Sequence, residues 1–201
     1  MKYICSIDEN INTEFVNEMS KIYNIDKHLV GLLYSRGINT QAKLNQYLSP
    51  SIRDLYDPFL FEDMSAVVEK IEKHIAKDSK ILIFGDYDVD GITASAILIK
   101  YFKSVGAKVT NYMPNRYEDG YGLSIQTLDK IFAKNKPDLV ITVDCGITAV
   151  DEVEYLKANG VDVVVTDHHE RGETLPNCLI INPKVSQTYP FHCLCGAGVA
   201  L

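Results

Sequence analysis

The sequence predicts an α/β domain: a mainly parallel sheet of five strands or more, flanked by helices and preceded by a helical leader. Three observations carry that expectation. From Lys80 onward, short β-branched runs alternate with helical stretches; residues 1–62 show no regular strand rhythm; and chemically loaded residues follow the ends of the predicted strands. Alternation of this kind reads as βαβ units, whose crossover helices cover both faces of a parallel sheet.

In the leader, the Tyr23–Tyr34 segment with Ile25, Leu29, Leu32 and Leu33, followed by Leu44, Tyr47 and Leu48, predicts short helices. Gly37 breaks them, Ser49-Pro50 stops them, and an irregular Asp57-Pro58 stretch follows. Next, Met64, Val67, Val68, Ile71 and Ile75 recur at helical spacing, predicting a helix with one buried face and Asp63 or Ser65 as its cap. The boundary between a leader, 1–62, and the α/β domain, 63–201, is therefore placed just before it. Strands are predicted at Ile81–Phe84, Lys108–Tyr112, Leu139–Val143, Val161–Thr166 and Leu179–Ile181, with helices at Thr93–Lys103, Ser124–Lys134 and Thr148–Ala158. Thr148 and Asp151 have the spacing of a capping box, and Gly160 suits the far end of that helix. There is no internal repeat and no low-complexity tract.

Composition limits the function classes. The chain has 201 residues, 46% apolar and 23% charged, which excludes disordered and collagen-like proteins. No apolar run is long enough to span a bilayer, and the N-terminus lacks the apolar core of a signal peptide, so a cytoplasmic protein is expected. The five cysteines, at 5, 145, 178, 193 and 195, are odd in number and scattered, which predicts free thiols. Twenty basic against 27 acidic residues give a net charge of −7, which argues against a broad basic surface for a phosphate backbone. Bound divalent cations would offset part of that excess.

In open parallel sheets the functional groups gather beyond the carboxyl ends of the strands. Asp86, Asp88 and Asp90 follow the first predicted strand, Asp144 the third, and Asp167, His168 and His169 the fourth. Asp90, before Gly91-Ile92-Thr93, has a simple explanation as a helix cap, but capping does not account for Asp86 and Asp88 as well. Carboxylates crowded at one edge repel unless something positive lies between them. Hard oxygen donors with imidazole suit Mn²⁺ or Mg²⁺ rather than a structural zinc, and a two-metal centre is the sharp expectation. One ring of the histidine pair can face a metal while its neighbour reaches a phosphate or leaving oxygen. The Phe191-His192-Cys193-Leu194-Cys195 cluster lacks a second matching cysteine pair and reads as loop and core rather than zinc ligands. The 12 tyrosines include candidates for base stacking, but most are expected to pack the helices and the sheet.

These residues carry a resemblance. Gly85-Asp86-Tyr87-Asp88-Val89-Asp90-Gly91 and Asp167-His168-His169 resemble the first and fourth motifs of the DHH phosphoesterase superfamily, and Asp144-Cys145-Gly146 is similar to its third. Pro114-Asn115-Arg116-Tyr117, Gly120-Tyr121-Gly122-Leu123-Ser124, Asn182-Pro183 and Leu194-Cys195-Gly196-Ala197-Gly198 resemble the RecJ branch. So do Leu32-Leu33-Tyr34-Ser35-Arg36-Gly37 and Asp57-Pro58-Phe59-Leu60 in the leader. The resemblance implies a Mn²⁺- or Mg²⁺-dependent exonuclease that degrades single-stranded DNA from the 5′ end in repair and recombination, working beside a helicase and a single-strand-binding protein. It implies metal ligation by Asp86, Asp88, Asp90, Asp144 and His168, without settling which aspartate bridges. His169 is implied in phosphate contact or leaving-group assistance, with Asp144 also catalytic. Substrate contacts are implied for Arg116, Tyr121 and Ser124, and for Gly196 and Gly198 as a glycine-rich anion nest.

The family supplies a further aspartate ligand after the Gly-Ala-Gly segment, then a second domain and a nucleic-acid-binding module. The sequence stops at Leu201, before all of them, so a fragment with weak or no activity is expected. Within the superfamily, an inorganic pyrophosphatase or a short-oligonucleotide hydrolase is the alternative. Asp88-Val89-Asp90-Gly91 also resembles the haloacid-dehalogenase phosphatases, with Asp88 as nucleophile, but that reading gives Asp86 and the histidines nothing to do. A non-catalytic nucleic-acid or partner-binding module is the reading from another class; it would be expected to have lost several acidic ligands, which are present here.

Overall fold

The structure is a computed structural model that describes residues 11–115, 117, 119–120 and 122–201. It divides into two compact units, the first ending at Leu55 and the second running Tyr56–Leu201. In the first, α1 (Thr13–Tyr23), α2 (Lys27–Ser35) and α3 (Gln41–Leu48) each begin at a side-chain cap, Asn12, Asp26 and Thr40 respectively. Val16, Met19, Val30, Leu33 and Leu44 form their shared core. The segment from Tyr23 to Tyr34 is not one helical stretch: Asn24 turns left-handed at φ 51° and Asp26 starts a new helix.

Residues 56–62, expected in the leader, fold with the second unit. Phe61 stacks on Tyr189 with ring centroids 3.9 Å apart. The Glu62 carboxylate accepts from the Ser186 hydroxyl and from the Gln187 and Thr188 amides. Helix α4 (Met64–Ala76) follows. Asp63 makes no capping bond to it; its carboxylate accepts instead from the Ile180 amide at 2.9 Å.

The sheet comprises β1 (Lys80–Gly85), β2 (Lys108–Tyr112), β3 (Leu139–Val143), β4 (Asp162–Thr166) and β5 (Leu179–Ile181), all parallel, in the order β2-β1-β3-β4-β5. The connections include α5 (Val89–Ser104), α6 (Ile125–Asn135) and α7 (Val150–Ala158), and a short helix α8 (Gly196–Ala200) closes the described chain. Leu82, Phe84, Val140, Val163 and Val165 pack on one side with Leu128, Ile131, Val153 and Leu156. Ile81, Ile83, Ile141, Val143 and Val164 pack on the other with Val67, Ala94 and Phe102. Burial on both faces is why β1, β3 and β4 read as continuous apolar runs rather than alternating ones. Each such side chain contributes about 1.5–3 kcal/mol by leaving water.

Strand order reverses between β1 and β3, so a crevice opens beyond their carboxyl ends. Two helix starts differ from the sequence expectation. Helix α5 begins at Val89 rather than Thr93, because Asp88 is already its cap. Helix α7 begins at Val150, and the Thr148–Asp151 capping box does not form. The preceding turn is held instead by the Ala149 amide on the Gly146 carbonyl and the Ile147 amide on Asp167. Cys145, Cys178, Cys193 and Cys195 are free thiols; Cys5 lies outside the described residues. No described helix is long and apolar enough to cross a membrane.

Candidate metal centre

The end of β1 delivers two carboxylates. Asp86 is buried and its Oδ1 accepts the Tyr87 amide at 2.6 Å. Asp88 caps α5 through the Gly91 amide at 3.0 Å, so the capping role anticipated for Asp90 falls to Asp88. A β-carbon on Gly91 would lie 2.5 Å from the Asp86 carbonyl oxygen and 2.7 Å from its nitrogen. Only glycine lets the first turn of α5 press against the Asp86 backbone, and that contact fixes the acidic loop.

Asp90, one residue into the first turn, points its carboxylate at the start of α8. Its Oδ2 accepts the Gly196 amide at 2.6 Å and its Oδ1 the Ala197 amide at 2.7 Å. The Gly196 amide, expected to help cradle a phosphate, and that of its neighbour Ala197 are thus already bound to an anion belonging to the protein. Burial works against the ionised form of Asp90, but the Ala197 and Gly196 amides outweigh it and hold the carboxyl below its ordinary range.

Asp144, directly after β3, adopts φ 60°, a left-handed conformation that Asp tolerates better than most residues. Its side chain is 2% exposed, and Oδ1 has no hydrogen-bond partner although it is buried. His168 Nε2 lies 2.9 Å from that oxygen and 3.4 Å from Asp90 Oδ2 without hydrogen-bond geometry to Asp144. Burial, reinforced by the Asp90 and Asp88 charges, pushes the Asp144 carboxyl up to about 7. Burial likewise raises Asp86. A buried acceptor left without a donor, among carboxylates that repel it, is what a cation would resolve.

Asp167 has a different task. It is 1% exposed, and its Oδ1 takes the His168 amide at 2.7 Å, the His169 amide at 3.1 Å and His169 Nδ1 at 2.8 Å. Its Oδ2 takes the Ile147 amide at 3.0 Å. Asp167 therefore orients the His169 ring and joins the β4 loop to the β3 loop. Asn182 supports the same loop by donating to the His169 carbonyl. Neither role was anticipated, although both residues stand in the quoted motifs.

Two groups of donors result. Asp86, Asp88 and Asp144 can each offer an oxygen, all within 4.8 Å of one another; Asp144, His168 and His169 can do the same. Asp144 belongs to both. Of the five expected ligands, Asp86, Asp88, Asp144 and His168 are brought together and His169 joins them; Asp90 is in neither group, and each of its oxygens accepts an α8 amide. Ser124 caps α6, accepting the Thr127 amide at 3.2 Å and donating to Thr127 Oγ1, so its visible bonds are structural. Gly196 lies against Asp144, where a β-carbon would fall 2.7 Å from Oδ1. Gly198 packs toward Leu194. Arg116 and Tyr121 lie outside the described residues. Among the described residues, His192, Cys193 and Cys195 form no donor group.

A doubly wound sheet with aspartates and a histidine pair converging at its switch point defines the class, and comparison agrees with it. Residues 80–201 match the model of the DHH family, N-terminal domain, and the chain belongs to that family. It is similar to the single-stranded-DNA-specific exonuclease RecJ of Bacillus subtilis, at 37% identity over 187 residues, which is 92% of this chain and 24% of that protein. The RecJ of Dickeya dadantii is 40% identical over 176 residues, 86% of this chain and 30% of that one. Among solved structures, an exonuclease RecJ bound to manganese superposes with a TM-score of 0.66 at 35% identity, covering 73% of this chain and 37% of that chain. The chain thus spans about a quarter to a third of the length of these curated relatives.

Proposed function

We propose that this chain carries the metal-binding half of a site that hydrolyses phosphodiester bonds in single-stranded DNA, acting exonucleolytically from the 5′ end. The observation that carries it is the buried, unpartnered Asp144 Oδ1, shared by two donor groups whose oxygen and imidazole character fits Mn²⁺ or Mg²⁺. Manganese in the similar RecJ structure supports the same choice of ion.

Asp86, Asp88 and Asp144 would hold one cation, and Asp144, His168 and His169 the other. Bound there, the pair supplies Lewis-acid activation of water and charge neutralisation on the phosphate. The chain's own residues set the stage. The left-handed backbone at Asp144 turns its carboxylate into the crevice, and Gly196 leaves room for it. Asp167 fixes the tautomer and tilt of His169 by engaging Nδ1, which directs its chemistry through Nε2. With Nδ1 taken by Asp167, His169 has Nε2 to offer the cation, and the phosphate contact or leaving-group assistance implied by the family resemblance would compete for it. Strand polarity, a cytoplasmic setting and work beside a helicase and a single-strand-binding protein belong to this reading on the strength of the family resemblance.

The test uses Asp144→Asn, which keeps the shape and tolerates φ 60° but removes the charge. In the complete gene product containing these residues, the substitution should abolish Mn²⁺-dependent release of mononucleotides from 5′-labelled single-stranded DNA while leaving the fold intact. Undiminished release would exclude Asp144 as a metal ligand.

A further inference from the structure

A cavity of about 520 Å³ lies beside the donor groups, with His169 and Asp167 in its wall. We propose that it is the subsite for the sugar and base of the nucleotide whose phosphate sits at the metals. This rests on the hydrolytic reading above and adds where the rest of the substrate goes. The volume falls within the range of sites that enclose small organic ligands, roughly 300–1,000 Å³.

The chemistry of the lining favours the neutral part of a nucleotide over its phosphate. The buried part is apolar, supplied by Leu123, Cys145 and Ile147 at 7%, 2% and 1% exposure. The polar part carries Glu152 and Glu170 against Lys184, whose ammonium is paired with Glu170 at 3.0 Å. A lining with three carboxylates, Asp167 among them, and one neutralised cation repels a phosphate, whereas a base covers the apolar surface and offers N–H groups to a carboxylate. Glu152 makes no hydrogen bond among the described residues, so its oxygens are available to accept one. The phosphate is thereby kept at the His169 edge while the nucleoside enters. Gly122 and Leu123, which close one side, belong to the segment after β2. Gly122 and Leu123 thus reach the nucleoside even though Ser124, the last residue of the motif, is used as a helix cap.

The experiment titrates this chain, with Mn²⁺ present, with deoxynucleoside 5′-monophosphates and separately with inorganic phosphate, by calorimetry and methyl NMR. The nucleotides should bind at least about tenfold more tightly than phosphate, and only they should shift the Leu123 and Ile147 methyl signals. Thr148→Trp, at an exposed position whose side chain makes no hydrogen bond, fills the cavity and should remove most of the nucleotide's advantage. Equal affinity for nucleotide and phosphate, or unmoved methyl signals, would overturn the subsite while leaving the metal centre standing. Failure of Mn²⁺ itself to bind would overturn the hydrolytic reading, and the subsite with it.

Discussion

Gly196 and Asp144 are packed so closely that a β-carbon on the glycine would lie 2.7 Å from the aspartate's Cβ and Oδ1. The contact joins positions 52 residues apart and brings α8 against the end of β3. It places the backbone of α8 where a side chain would stand between Asp144 and the crevice.

Gly196→Ala should therefore displace the Asp144 carboxylate. The expected result is a loss of Mn²⁺ affinity of about 10- to 100-fold, with a destabilisation of about 1–3 kcal/mol from overpacking. Calorimetric Mn²⁺ titration together with urea unfolding measures both. Unaltered affinity would mean that the helix yields and the glycine is dispensable.

Asp90→Asn tests the separate role given to that residue. One amide of α8 would face an NH₂ group in place of an oxygen, at a cost of about 1–3 kcal/mol. Hydrogen exchange at the Gly196 and Ala197 amides should accelerate, while Mn²⁺ affinity should fall far less than in Asp144→Asn. A collapse of metal binding equal to that of Asp144→Asn would show that Asp90 is itself a ligand.

The stability of the metal-free chain should depend on pH through Asp144. Its carboxyl titrates near 7 when folded, against 3.8 ordinarily, because burial and then the Asp90 and Asp88 charges disfavour the ionised form. The folded state keeps a proton that the unfolded state has lost, so stability declines as pH rises from 3.8 toward 7 and levels off above it, by up to roughly 4 kcal/mol from this group. Glu62, held at about 2 first by the Ser186 hydroxyl, acts the other way: its contribution is present above 4.5 and is lost as pH falls toward 2. Because Mn²⁺ displaces the Asp144 proton, the rise in Tm it causes should be larger at about pH 8 than at about pH 5.5. Thermal melts with and without metal decide this; a larger rise at the acidic pH would contradict it.

Much of the framework could be read from the chain. β-Branched runs such as Val140-Ile141-Thr142-Val143 are buried on both faces, so apolar content alone revealed them. The convergence of Asp86, Asp144 and His168 followed because each stands within two residues of a strand's carboxyl end. What escaped depends on contacts between distant segments. Asp90 resembles a cap in one dimension, and only the arrival of α8 gives it another use. Asp63 precedes a helix yet bonds to Ile180, 117 positions away. Asp167 reads as one more acidic residue, and its four donors come from three backbone amides and a ring nitrogen that folding gathers around it. The Thr148–Asp151 spacing was correct for a capping box, but the turn around Gly146 had already set where α7 begins.

Anomalous scattering from a crystal of this chain grown with Mn²⁺ tests the central claim most directly. Two peaks should appear at the carboxyl ends of β1, β3 and β4, with the Asp144 carboxylate touching both, Asp86 and Asp88 on one, and the histidine pair on the other. Peaks that avoid Asp144, with its buried oxygen still unpartnered, would contradict the account.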